Sequence, residues 1–241
     1  MGTSTARRGP TGPKWRQAKG AATRYLAAGT EAPVTAREVA ARYISALEGE
    51  EGEGGFLAQF RVTRKVAQEL GAFWEEERTR GWGAALKKRG LEEVIGAPPE
   101  VTAQAVTASL GGPADNLEAV AARAALAEVL EEVLSGRADG EAEIESAWAV
   151  ARFLCRAVSV RLVLDLGESL EAAAGAPRQL REALAELRQT VDLAADPAGG
   201  NPADWRGLVG WQWTTRILLD LREALGRQGQ LRPLGGTHGG A

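Results

Sequence analysis

From Ile144 to Leu166 the apolar residues Ile144, Trp148, Ala151, Cys155, Val158 and Leu162 recur in steps of three and four. That spacing follows the 3.6-residue turn and lays one apolar stripe along a long helix, the pattern of the central buried helix of a bundle. The apolar fraction of 44% is enough for a real core and is drawn mainly from Ala and Leu, whereas aromatics make up 5%. Ala and Leu favour helix, and strands want Val, Ile and aromatics. No strand pair or fixed-period repeat is visible. The sequence therefore predicts an all-α, multi-helix bundle.

Glycine and proline mark where the other helices begin and end. Trp15, Ala18, Ala22, Tyr25 and Leu26 lie at helical spacing from Lys14 to a stop at Gly29. Thr35-Ala36-Arg37-Glu38 reads as a capping box ahead of the stripe Val39, Tyr43, Ile44 and Leu47, which ends at Gly49. Residues 48–55 read as a solvated acidic glycine linker. The next region carries Phe56, Phe60, Val66, Leu70, Phe73 and Trp74, with a break expected at Gly71 or Gly81, then a short segment from Ala84 to Val94. Pro98-Pro99-Glu100 opens a helix that stops at Gly111-Gly112-Pro113. Asp115-Asn116-Leu117-Glu118 is a second cap-like start, for a helix through Leu126, Leu130 and Val133. Leu180, Leu184, Leu187 and Val191 form the helix after the central one, and Trp205, Leu208, Ile217, Leu218, Leu221 and Leu225 the last. The predicted organisation is an arm over 1–13, a helical region over 14–96, a bundle over 98–226 and a tail over 227–241. Gly, Pro and hydroxyl residues give the arm no apolar face, so it should be flexible, and the Gly-rich tail should be disordered.

Charge is uneven. Net charge is −3, yet residues 1–30 hold Arg7, Arg8, Lys14, Arg16, Lys19 and Arg24 and no acid. A basic arm on an acidic body suggests contacts to phosphate or to an acidic partner. With Trp15 and Tyr25 for stacking, the arm could instead serve a nucleic-acid-binding module. The densest acidic run is Glu128, Glu131, Glu132, Asp139, Glu141, Glu143 and Glu145 against Arg137. It reads as a solvated helix end or as a surface for a basic partner. Trp211 and Trp213, two apart on a helix, point about 200° apart. Either one is exposed for a partner or the helix is packed on two sides.

Catalytic chemistry finds little to work with. The one histidine, His238, lies in the glycine tail, where a base cannot be held near its target. That removes Ser-His-Asp and Cys-His catalysis and any His-based metal site. Cys155, the single cysteine, sits on the central apolar stripe and reads as core. The glycine loop lacks the Gly-Lys-Ser/Thr of a phosphate cradle. The reading is of a chain that is not an enzyme and has no cofactor or metal. Without a signal peptide or a long apolar run it is expected in the cytoplasm, away from the membrane.

Several stretches bear a family resemblance. The start Met1-Gly2-Thr3-Ser4, then Gly83-Ala84-Ala85-Leu86, the run from Gly90 to Glu100, Asp115 to Leu134, Ala151 to Leu162 and Asp165-Leu166-Gly167-Glu168-Ser169-Leu170 resemble the QatB family of bacterial anti-phage defence operons. The likeness spans residues 1–5 and 83–171. It implies partners: an ATPase, a TatD-like nuclease and a QueC-like enzyme. It also implies that the QueC-like partner joins a deazaguanine to the N-terminal glycine. Gly2 is then the acceptor, and Thr3 and Ser4 are what the partner enzyme recognises. The alternatives are a helical adaptor without modification and the nucleic-acid-binding module.

Overall fold

A computed structural model describes residues 10–27, 34–138, 144–194 and 200–226. Among them are ten α-helices, one 3₁₀ turn and no strand, as the sequence predicts. The helices are α1 (Pro13–Leu26), α2 (Ala36–Glu48), α3 (Glu53–Ala58), α4 (Arg61–Arg80), α5 (Trp82–Lys87), α6 (Pro99–Gly111), α7 (Leu117–Ala138), α8 (Ser146–Ala173), α9 (Pro177–Asp192) and α10 (Leu208–Gly226), with the 3₁₀ turn Glu92–Val94 between α5 and α6. No helix among the described residues is long and apolar enough to cross a membrane.

The axis of the bundle is α8, 28 residues long and so about 42 Å. It packs against α1, α4, α7, α9 and α10. Neighbours on several sides explain why its buried residues, from Ala147 and Val150 to Leu162, Leu166 and Leu170, do not keep to one narrow stripe. α7 is likewise enclosed, between α6, α8 and α4. α9 has α8 and α2 on one side and water on the other, and its apolar residues fall on one face. Helices from both halves of the chain feed one continuous core.

Two glycines are set by close approach. Gly55 lies against the end of α2, where an added Cβ would stand 2.2 Å from the Glu48 carbonyl oxygen. Gly71, in the middle of α4, lies under the indole of Trp205, whose ring carbon would be 2.2 Å from such a Cβ.

The break expected at Gly71 or Gly81 falls at Gly81, which ends α4; at Gly71 the space its missing side chain leaves is filled by Trp205. Three expectations need correcting. Residues 48–55 are no free linker: α3 begins at Glu53, and Arg222 of α10 bonds Glu48 at 2.6 Å and Glu53 at 3.1 Å. Trp148 leaves the core stripe and is 42% exposed, since Ala147 and Val150 supply that turn's inward face. Leu208 is 70% exposed, and Trp205 precedes the last helix rather than opening it.

Candidate functional site

The described chain enters the bundle at its N-terminal helix, so the seat of α1 is the candidate site. Ala18, Ala21 and Ala22 are fully buried, and their small side chains let α1 lie close on α2 and α8. Pro13 opens the helix and removes an N–H that would otherwise be unpaired. The Lys19 ammonium donates to the Pro10 carbonyl at 3.1 Å, folding the entering strand back along the helix. Lys14 donates to the Gly49 carbonyl at the end of α2. At the other end, Gln179 of α9 donates to the Leu26 carbonyl at 2.8 Å.

Under α1 lies a buried polar seam. The Tyr43 hydroxyl of α2 donates to Asp165 Oδ2 of α8 at 2.9 Å, and Arg161 Nε donates to the same oxygen at 3.0 Å. Burial pushes the Asp165 carboxyl above its ordinary range, against the pull of Arg161 and Tyr43. Burial first, and then the Asp165 charge, raise the Tyr43 hydroxyl. Glu118 of α7 accepts the Thr63 N–H at 2.8 Å, so it caps α4 from another helix. Its carboxyl is also raised, by desolvation. Each of these groups is spent on holding helices together.

Of the sequence-predicted site residues, Gly2, Thr3, Ser4, Arg7 and Arg8 lie outside the described residues, as does His238. The structure brings Lys14, Arg16, Lys19 and Arg24 together on α1, with Arg16 and Arg24 exposed. The aromatic pair of the nucleic-acid reading is engaged internally. Trp15 stands edge-on to Tyr43 with centroids 5.8 Å apart, and the Tyr25 hydroxyl donates to Glu186 at 2.6 Å.

Two acids of the acidic run, Glu128 and Glu132, are committed, and Asp139, Glu141 and Glu143 lie outside the described residues. Glu128 and Glu132 meet Arg152, Arg156 and Arg188, and Asp192 joins Arg152 at 3.0 Å. Cys155 is buried and its thiol is pushed up to about 12, chiefly by desolvation, so it is protonated near neutral pH. Trp213 lies against Trp205 at 5.2 Å, and the Arg64 guanidinium sits 3.9 Å over the Trp211 ring. Both indoles are half-buried: Trp213 packs against the core and Trp211 lies under Arg64.

Sequence reasoning placed Tyr43 in the core without its polar partner, and missed Arg161, Asp165 and the reach of Glu118 to Thr63. Arg161 and Asp165 are a local pair four residues apart, but Tyr43 and Asp165 stand 122 residues apart and Glu118 and Thr63 55 apart, and no local pattern announces those two contacts.

Comparison with known families gives the class: a model described as Qat anti-phage system associated protein QatB matches residues 52–197. The chain belongs to the QatB family and is a component of the Qat anti-phage system. The match covers the stretch over which the middle of the sequence resembled the family; the Met-Gly-Thr-Ser start lies outside it. No curated protein and no solved structure matches the chain.

Proposed function

We propose that this protein is a non-catalytic Qat component whose Gly2 amine accepts a deazaguanine-type group from a QueC-like partner, in the cytoplasm, with Thr3 and Ser4 read by that enzyme. Membership of the QatB family, with Met1-Gly2-Thr3-Ser4 at the start, carries the reading. The seat of α1 supports it. Lys19 holds the Pro10 carbonyl, and the eight Cα-to-Cα steps from Gly2 to Pro10 can span at most about 29 Å, far enough to enter an active site.

The chemistry favours the α-amine. With a pKa near 8, roughly a tenth of it is neutral at pH 7, against roughly one in two thousand for a lysine. The neutral nitrogen attacks the ATP-activated carboxylate, an amide bond forms, and the activating group leaves with the oxygen. Glycine adds no side chain to crowd the attack. Glu128 and Asp192 are bound to arginines and Glu118 to backbone, which suits a structural role for these carboxylates better than acid-base catalysis.

With the partner enzyme, ATP and a carboxy-deazaguanine, intact mass is expected to rise by one adduct on the first peptide. Gly2→Leu is expected to abolish it, since Met1 would be retained. Replacing Lys14 and Lys19 with arginine is expected to leave it intact. An adduct on either lysine, or none with the operon's own enzyme, would overturn the acceptor role.

A further inference from the structure

The end of the bundle where α8 begins and α9 finishes carries two large apolar side chains in water. Trp148 is 42% exposed and Leu193 is 79% exposed. They share one surface. Arg152, one turn beyond Trp148 on α8, binds Asp192 at 3.0 Å, and Leu193 follows Asp192 directly. Leu193 is held in place, its N–H donating to the Gln189 carbonyl at 3.0 Å.

The charge around this patch is negative. Glu128, Glu132 and Asp192 are matched by Arg152, Arg156 and Arg188, which makes a pinned floor of ion pairs. Glu131 on α7 and Glu145 before α8 are exposed and carry no cation among the described residues. Among these described side chains, five acids stand against three arginines.

We infer that this surface docks a lysine- or arginine-bearing segment of a partner protein. A cation seats over the indole face, its aliphatic stem lies along the ring, and its charge faces Glu131 and Glu145. An apolar neighbour on the partner covers Leu193. Tryptophan centred in a rim of charge is the composition of an interface anchor. A nucleic acid or an acidic peptide would meet repulsion.

The surface is testable on the full chain labelled with 5-fluorotryptophan, in which Trp148 is one of seven tryptophans and is assigned by loss of its signal in Trp148→Phe. The probe is a short synthetic peptide of alternating arginine and leucine. It is expected to shift the Trp148 signal saturably and less at high salt. Trp148→Ser is expected to weaken binding on the order of tenfold or more. Glu131→Gln with Glu145→Gln is expected to weaken it by a smaller factor. An unmoved Trp148 signal, an equal shift with a glutamate–leucine peptide, or undiminished affinity in a folded Trp148→Ser protein would overturn the proposal. So would tighter binding by a peptide copying residues 2–13, which would make this protein's own N-terminal arm the occupant.

Discussion

α1 and α10 close the same core from different places, and they do it with opposite chemistry. α1 is seated by three buried alanines over a polar seam, in which Tyr43 and Arg161 share one oxygen of Asp165. The approach to α10 is seated by an indole: Trp205 fills the slot over Gly71, while Gln68 donates to the Trp205 and Gly207 carbonyls at 2.8 and 3.0 Å. The α10 side is fixed by shape, so it should fail when volume changes. The floor beneath α1 is fixed by hydrogen bonds from α2 and α8 to the Asp165 carboxyl, so it should fail when a donor is lost or a proton moves.

The largest effect is expected at the indole. Gly71→Ala puts a methyl group inside the Trp205 ring position and should cost about 3 kcal/mol in urea unfolding. Combining it with Trp205→Ala should cost less than the two changes summed, because both act on one slot. Additive costs would break the comparison. At the seam, Tyr43→Phe keeps the ring but strips a donor from a buried carboxylate, and should cost about 2 kcal/mol. A neutral result there would make the seam ornamental.

The smallest effect concerns pH and has opposite signs on the two sides. Asp165 titrates above its ordinary value when folded, so the folded state holds a proton that the unfolded state has lost. Its contribution therefore rises as pH falls from above the folded value toward the ordinary one. Glu69 is the reverse. Despite desolvation, hydrogen bonds from Arg206 and Arg89 hold it below the ordinary range, so its contribution is lost as pH falls through its folded value. Asp165→Asn should steepen the loss of stability on acidification, and Glu69→Gln should flatten it. Unfolding midpoints measured across the carboxylate range check both signs.

Local pattern made much of this fold legible. Thr35 caps α2, accepting the Glu38 N–H at 3.2 Å, and the stripe Val39, Tyr43, Ile44 and Leu47 is buried as read. The reciprocal half of that box does not form, because Glu38 turns to Arg42 instead. Asn116 rather than Asp115 caps α7, and Glu118 is thereby free to reach Thr63. Trp148 defeated the stripe because periodicity reports which way a residue faces, and at the end of a helix no neighbour need stand there. The breaker rule could not choose between Gly71 and Gly81, because the reason for Gly71 is a tryptophan 134 positions away. The acceptor reading drew on resemblance, and no helical pattern touches Gly2.

The slot over Gly71 also bears on how the protein is made. A ribosome releases α4 long before Trp205 exists. Until Trp205 and Gly207 have been made, nothing can fill the space over Gly71, and Gln68 lacks both carbonyls that later receive its amide. The final packing of α4 therefore waits on residues more than 130 positions downstream.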